Sequence, residues 1–337
     1  MKERIALWDN LKFLLIFFVV IGHFAEQVID SGTQTGPYRA IFIFIYAFHM
    51  PLFIFVSGLF HKNKNISQKV FAFISIGLIY KVLIYCIRRV TEGEASFKLL
   101  QEGGIPWFMF VLAVFILLAY LLRNVNPRLV LVVSVVLACF AGYDSSIGDF
   151  LCLSRIIVFF PFYFAGTMVN RVKLEELSRK KSMKILGLII LIVWALLCVL
   201  ALPKVYLLRP LMTGKNAFCK VDLPYVILFR ILCYAIAAVL GLAWILFVPT
   251  KRIFAVTTIG QRTMQIYFWH RPLIYIIVNL GLANSLFGNV VGQGIWMLIG
   301  VAATFVLAWK PLRYPTDLFL NFRSAPPVKE PEPTLKS

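Results

Sequence analysis

Three polar residues in and just after the apolar stretch WDNLKFLLIFFVVIGHF, residues 8–24, have the types and spacing for acid–base chemistry. Lys12 and His23 are eleven positions apart, so on a helix they lie about 20° apart around the axis and about 16 Å apart along it. Glu26 follows three positions later, near the same face. An imidazole beside a carboxylate can act as a general base, and a lysine at the membrane boundary can meet an anion. Taken singly, Lys12 could instead snorkel to the interface and His23 could form an interhelical hydrogen bond.

Other polar residues inside apolar stretches are few, and each is costly in hydrocarbon unless it faces a polar cavity. In FHMPLFIFVSGLFHK, residues 48–62, His49 falls mid-span and Ser57 lies near the other end. Pro51 predicts a kink that frees a backbone carbonyl. Later stretches add four more candidates: Arg155, Arg230, His270 and Arg271. If these groups converge, they form an electropositive pocket that suits a phosphate-bearing ligand.

The elements that must position these residues are membrane helices. Of 337 residues, 61% are hydrophobic and 15% charged, whereas a typical soluble domain has about 25% charged residues. The sequence predicts an all-α polytopic membrane protein, with one multi-spanning domain at 1–316 and a disordered cytoplasmic tail at 317–337. The ten predicted spans are 10–30, 38–60, 66–87, 105–122, 128–143, 154–170, 185–202, 223–247, 263–280 and 291–309.

The distribution of positive charge predicts the orientation. Alternate segments between the spans, counted with both termini, carry 21 Lys and Arg residues, whereas the opposite loops carry eight. Because cytoplasmic loops are enriched in Lys and Arg, both termini are predicted to be cytoplasmic. The expected location is the plasma membrane of a bacterium, in contact with the lipid bilayer.

Composition argues against two other classes of function. A net charge of +19 could suggest nucleic acid as a partner, but no soluble basic face is visible. The six cysteines form no CxxC pair, and no cluster of metal-ligand residues is evident, so we expect no metal.

The motifs resemble those of a known family. WDNLKFLLIFFVVIGHF followed by FHMPLFIFVSGLF is similar to the opening of the integral-membrane acyltransferase-3 superfamily, closest to its fucose 4-O-acetylase-like branch. That superfamily has a basic residue, usually Arg, at the position of Lys12 relative to His23. PWF at 106–108, FFPFYFAG at 159–166 and TMQIYFWHRPL at 263–273 match later patches, so the resemblance covers about residues 4–310.

The resemblance implies a membrane O-acetyltransferase that moves an acetyl group from cytoplasmic acetyl-CoA to a hydroxyl of a sugar in a cell-surface glycan or its precursor. It implies that His23 is essential, as general base or transient acyl carrier, and that Lys12 helps to bind the donor. We add the remaining candidates as expectations. Catalysis is expected to involve Glu26 and His49, donor binding Ser57, His270 and Arg271, and acceptor binding Arg155 and Arg230.

Two alternatives remain from the sequence. A transporter or flippase for a glycan or lipid-linked sugar would also have intramembrane His and Arg residues and broken helices. A non-catalytic scaffold or sensor of the same fold would tolerate loss of His23. The acceptor sugar, the position acetylated, acyl groups other than acetyl and the oligomeric state are left open.

Overall fold

The computed structural model describes residues 6–32, 35–93, 95–215, 217–221 and 223–320, and these residues form helices without a β-sheet. The α-helices are α1 (Ala6–Asp30), α2 (Gly36–Tyr46), α3 (His49–Leu59), α4 (Ile66–Glu92), α5 (Trp107–Leu121), α6 (Pro127–Phe140), α7 (Leu153–Met168), α8 (Arg171–Arg179), α9 (Lys181–Leu200), α10 (Leu202–Tyr206), α11 (Arg209–Met212), α12 (Val226–Phe247), α13 (Phe254–Gly260), α14 (Thr263–Asn279), α15 (Asn284–Phe287), α16 (Val290–Val306) and α17 (Thr316–Leu320). Short 3₁₀ turns occur at Ala141–Tyr143, Phe218–Lys220 and Lys310–Arg313. The predicted tail begins within α17, and its remainder, 321–337, lies outside the described residues.

Each of the ten predicted spans coincides with a helix or a pair of helices, and this confirms an all-helical membrane protein. Among the described residues, five stretches are long and apolar enough to cross a bilayer: α1, Gly36–Leu59, α4, α9 and α12. A sixth is obtained if α7 and α8, which are bent by 83°, count as one span. Helices α5, α6 and α16 are apolar but shorter. The count of ten crossings and the cytoplasmic termini stay predictions.

The second predicted span is broken into α2 and α3 at Ala47 and Phe48. Pro51 accounts for the break, because its ring clashes with the carbonyl four residues earlier, that of Ala47, and it has no N–H. The Ile45 carbonyl accepts a hydrogen bond from His49 Nδ1 at 2.9 Å. The structure thus places a break in this span just before Pro51, and the hydrogen bond to Ile45 fixes the His49 ring.

Helix α1 packs against α2, α13, α14 and α16, and its neighbours distinguish the two ends of the bundle. At the amino-terminal end of α1, Trp8 Nε1 donates to Glu175 of α8 at 2.6 Å. Asn10 Nδ2 donates to the carbonyls of Pro249 at 2.8 Å and Lys251 at 2.9 Å. Segments predicted to be cytoplasmic thus meet at one end, which we call the amino-terminal end of the bundle. The loops around residues 95–106 and 207–215 lie at the opposite end.

Helices α3 and α7 cross closely enough to require glycine on both. A Cβ added to Gly58 would lie 1.9 Å from the Tyr163 carbonyl oxygen, and one added to Gly166 would lie 2.2 Å from that of Phe55. No side chain fits these gaps, so the crossing sets how α3 and α7 approach each other. Both helices contribute to the site, through His49 and Arg155 respectively.

Candidate active site

A polar cavity of about 470 Å³ lies in the half of the bundle opposite the amino-terminal end. Its wall combines residues of α1, α2, α3, α7 and α14 with two segments: 103–107, which leads into α5, and 209–215, which includes the short helix α11. The predicted site residues on this wall are His23, Glu26, His49, Arg155 and Arg271. The fold therefore brings together residues from four separate helices that sequence reasoning assigned to one pocket.

His23 is held as a hydrogen-bonded pair with Glu26. Its Nδ1 lies 3.2 Å from Glu26 Oε2, one helical turn along α1. A carboxylate accepts hydrogen bonds, so this contact places a proton on Nδ1 and leaves the lone pair on Nε2. The His23 side chain is 14% exposed in its place on the cavity wall. This is the arrangement of an oriented general base.

His270 lies behind His23 and does not line the cavity. The two imidazole rings stack, with centroids 5.3 Å apart and planes 28° apart. His270 Nδ1 lies 2.7 Å from the Tyr267 carbonyl, so this nitrogen is the donor. Its Nε2 is buried without a hydrogen-bond partner among the described residues. In this geometry His270 supports the His23 ring, and its predicted role in donor binding stays a prediction.

Tyr46, at the end of α2, joins the two cavity histidines. Its hydroxyl lies 3.5 Å from His23 Nδ1, and its ring centroid is 4.7 Å from that of His49. The Tyr46 ring also stacks on the Phe42 ring, with centroids 3.7 Å apart. Sequence reasoning did not select Tyr46. Two features of the sequence could have predicted a role for Tyr46: it bears a hydroxyl three positions before His49, and it lies just before the break caused by Pro51.

Positive charge dominates the cavity wall. The described lining residues include the cations Arg155, Arg209, Lys215 and Arg271 and a single carboxylate, Glu26. Arg271 Nη1 lies 3.7 Å from Glu26 Oε2, so Glu26 faces both the imidazole and a guanidinium. The predicted electropositive pocket is present, but two of its cations, Arg209 and Lys215, come from a loop that no motif singled out.

Arg155 both lines the cavity and braces its rim. Its two terminal nitrogens donate to the carbonyls of Glu102 and Gly103, each at 3.2 Å. The guanidinium also lies 4.8 Å from the Trp107 ring centroid. Two of its donors therefore bind the backbone of the loop at 102–103, and in this way Arg155 holds the edge of the cavity in place. Its expected contact with the acceptor stays a prediction.

Lys12 lies at the amino-terminal end, away from the cavity. Its Nζ forms an ion pair with Asp9 Oδ1 at 2.8 Å, and the Asp9 side chain is only 2% exposed. Between Lys12 and His23, α1 carries the buried aliphatic side chains of Ile16, Val19 and Val20, which we call the aliphatic layer, and Val19 itself lines the cavity. Lys12 and His23 thus lie on one face of α1, as predicted. The cavity, however, lies on the His23 side of the aliphatic layer, and Lys12 lies on the other side. The expectation that one polar chamber connects both residues therefore needs an opening through these aliphatic side chains.

Two predicted residues lie outside the cavity wall. Ser57 Oγ donates to the Phe53 carbonyl of its own helix at 2.9 Å. Arg230 is 1% exposed, and its Nη1 donates to the Leu211 carbonyl at 2.6 Å. Arg230 therefore anchors α11, and neither residue contacts the cavity in this arrangement. Among the residues that the structure describes, no three His, Cys, Asp or Glu side chains cluster as metal ligands would.

The fold and the cavity define a multi-pass membrane protein with a carboxylate-paired histidine in an electropositive chamber. A family model described as an acyltransferase domain matches residues 5–310. The chain therefore belongs to the acyltransferase-3 family, and the resemblance stated from the first two motifs is confirmed.

Two curated relatives support this assignment. The chain is 25% identical over 215 residues to the Nodulation protein NolL of Sinorhizobium fredii (strain NBRC 101917 / NGR234), covering 58% of this chain and 57% of that protein. It is 27% identical over 183 residues to the Nodulation protein NolL of Mesorhizobium japonicum (strain LMG 29417 / CECT 9101 / MAFF 303099), covering 49% and 48%. The chain thus matches about half the length of these relatives. No solved structure matches it.

Proposed function

We propose that this protein transfers an acetyl group from cytoplasmic acetyl-CoA to a hydroxyl of a sugar in a cell-surface glycan or its precursor, with His23 as the reacting base or acyl carrier. The observation that carries the proposal is the His23–Glu26 pair on the wall of a polar cavity. Membership of an acyltransferase family supplies the reaction class. The acetyl donor, the sugar acceptor and the membrane orientation belong to the proposal.

His23 has the geometry for proton transfer to and from the acceptor. With Nδ1 donating to Glu26, Nε2 can accept the proton of a hydroxyl as its oxygen attacks the thioester carbonyl. Such a positioned base contributes about 10²–10⁴-fold to a rate. Collapse of the tetrahedral intermediate breaks the C–S bond, and the thiolate takes the proton back from the imidazolium.

A covalent route uses the same residues. His23 Nε2 attacks the thioester carbon, the C–S bond breaks, and coenzyme A leaves as the thiolate, which gives a positively charged acetyl-imidazolium. The sugar hydroxyl then attacks the acetyl carbon, the C–N bond to Nε2 breaks, and the hydroxyl proton passes to the thiolate. Glu26 stabilises the positive imidazole in both routes. His49 and Arg155 are the candidates for stabilising the oxyanion from the cavity wall.

The donor is proposed to reach His23 from the amino-terminal end. Lys12 stands there about 16 Å from His23 along α1, a distance that an extended coenzyme A arm can cover. The aliphatic layer of Ile16, Val19 and Val20 lies on that route. The neutral acetylated arm, and not the phosphates, would have to pass it.

The test is acetyl transfer by purified full-length protein in proteoliposomes. Acetyl-CoA with an isotopic label in the acetyl group is supplied with a sugar mixture, and coenzyme A release and labelled sugar are measured together. We expect both for the natural protein and neither for H23A. Sugar movement without coenzyme A release would instead support the transporter, and equal activity of H23A would support the non-catalytic scaffold.

A further inference from the structure

The cavity wall is rich in hydrogen-bond donors and poor in acceptors. Neutral sugars present hydroxyl groups that are typically bound by carboxylates and amides as well as by donors. Among the described lining residues there is no Asp, Asn or Gln, and the carboxylate of Glu26 already faces His23 and Arg271. Three arginines and a lysine can donate hydrogen bonds but not accept them. They therefore suit a ligand group that only accepts hydrogen bonds, such as a carboxylate or a phosphate.

Arg209 is a cation of this wall that is held by aromatic rings and not by a carboxylate. Its guanidinium lies 4.9 Å from the Phe42 ring centroid and 5.7 Å from that of Tyr206. No carboxylate among the described residues lies within ion-pair distance of it, although Glu26 and Asp30 act on it from further away. Two aromatic rings therefore hold Arg209 at the cavity wall and leave its N–H donors available.

A chain of ring contacts connects Arg209 to the reacting group. Phe42, the ring under its guanidinium, stacks on Tyr46 at 3.7 Å, and the Tyr46 hydroxyl reaches His23. When the reacting hydroxyl of the acceptor sugar lies at His23, the same sugar or its neighbour in the glycan can therefore extend to Arg209.

A second cavity of mixed charge adjoins the first. Its volume is about 260 Å³, and it shares Gly103, Gly104, Ile105, Arg271 and Tyr275 with the first cavity. Its additional lining residues include the cations Lys81, Arg88 and Lys98, the carboxylates Glu102 and Asp149, and the amide of Gln101. Lys81 is paired with Glu102 at 3.0 Å, and Arg88 with Glu92 at 2.8 Å. The donor-rich wall is therefore that of the first cavity, whereas the second cavity carries both signs of charge.

We propose that the chamber selects an acceptor with an anionic group, a carboxylate or a phosphate, on the acetylated sugar or its neighbour, and that Arg209 binds this group. The proposal rests on the proposed function, because it assigns the chamber to the acceptor. The location supports that assignment: the described lining residues come from the half of the bundle opposite Lys12.

The experiment measures sugar binding by the full chain in detergent without acetyl-CoA, and acetyl-CoA binding by the same variants in a separate titration. The probes are methyl glucuronide, glucose 1-phosphate and neutral methyl glucoside, followed by calorimetry or thermal shift at low and high salt. The variants are R209Q and R209K. The matched control is R39Q, because Arg39 is exposed and contacts the same Tyr206 ring at 5.5 Å but does not line the cavity.

We expect at least one anionic sugar to bind about tenfold or more tightly than the neutral glycoside, with a preference that falls as salt is added. R209Q should remove this preference, whereas R209K should keep part of it and R39Q all of it. The anionic probe that loses more affinity in R209Q shows whether the natural group is a carboxylate or a phosphate.

Equal or absent binding of charged and neutral sugars would overturn the proposal. So would an R209Q variant that loses acetyl-CoA binding instead, because that would place the phosphates of the donor in the chamber. Failure of the acetyl-transfer assay for every acceptor would refute the proposed function, yet it would leave a measured preference for anionic sugars in place. The two outcomes are therefore distinguishable.

Discussion

The imidazoles of His23 and His270 stack at a centroid distance of 5.3 Å, and their outer partners differ in kind. His23 is bonded to a carboxylate, whereas His270 is bonded to backbone carbonyls, those of Tyr267 and Ile266. A carboxylate can stabilise a positive imidazole, and a carbonyl does so less well. The pair is therefore asymmetric: His23 is suited to gain a proton, and His270 is suited to stay neutral behind it.

The first prediction concerns Glu26. In E26Q, the amide can donate to His23 Nδ1, which would move the imidazole proton to Nε2 and remove the lone pair that receives the substrate proton. We expect kcat to fall by about 10²–10⁴-fold, with E26D intermediate. Steady-state acetyl transfer at saturating acetyl-CoA measures this. An E26Q enzyme with natural kcat would show that Glu26 does not orient the base.

The second prediction separates packing from chemistry at His270. H270F keeps a ring behind His23 and removes both Nε2, which has no partner among the described residues, and the Nδ1 donor to the Tyr267 carbonyl. Because that carbonyl still accepts from the Tyr80 hydroxyl at 3.1 Å, the stability should change little. H270A leaves a void behind the stacked ring. We expect H270F to retain activity within about tenfold and H270A to lose more of both activity and melting temperature. If H270F loses as much activity as H23A, His270 takes part in the chemistry itself.

The third prediction concerns Lys12 and its partner. K12A should raise the apparent KM for acetyl-CoA more than it lowers kcat, because a donor-binding cation is removed. The same change removes the ion-pair partner of the buried Asp9 carboxylate, which still accepts from Gln261 Nε2 at 3.1 Å, so we expect a loss of stability of about 1 kcal/mol.

The double variant D9N/K12A separates these two effects. It should recover stability, measured by thermal unfolding, but not the KM. The K12R variant should keep both the stability and the KM for acetyl-CoA of the natural protein. A KM restored in the double variant would mean that Lys12 serves the fold alone.

The fourth prediction tests the crossing of α3 and α7. A Cβ at Gly58 would lie 1.9 Å from the Tyr163 carbonyl oxygen, so G58A must separate the helices. We expect a destabilisation of about 1–3 kcal/mol, seen as a lower melting temperature in detergent, together with lower activity, because α3 carries His49 and α7 carries Arg155. G241A is the matched control, since its Cβ would lie 3.5 Å from Leu52, an ordinary contact. Equal melting temperatures for the two variants would contradict the tight crossing.

Much of the architecture followed from apolar length and helix breakers. The runs of apolar residues predicted the helices, and Pro51 predicted the break that the structure places at Ala47 and Phe48. His23 and Glu26 were predictable as a pair because three positions on a helix fix their proximity. The Lys12–Asp9 ion pair has the same three-residue spacing, so it was predictable from the sequence as well, although it was not among the expected contacts.

Contacts between distant segments could not be worked out in the same way. Arg209 and Lys215 reach the cavity because the loop after α10 folds over it, and no periodic pattern predicts that path. Arg230 and Ser57 have plausible residue types, but their side chains are directed at backbone carbonyls. Which donor meets which carbonyl depends on how the helices pack, and residue type alone does not determine that.

The division of the cavity between helices and loops has an evolutionary consequence. His23, Glu26 and His49 stand on packed helices, whereas Arg209 and Lys215 belong to a connecting segment at its mouth. Connecting segments accept substitutions and insertions more readily than packed helices do. A lineage of such proteins can therefore diversify the molecules it modifies by altering the mouth, while the reacting imidazole is inherited unchanged.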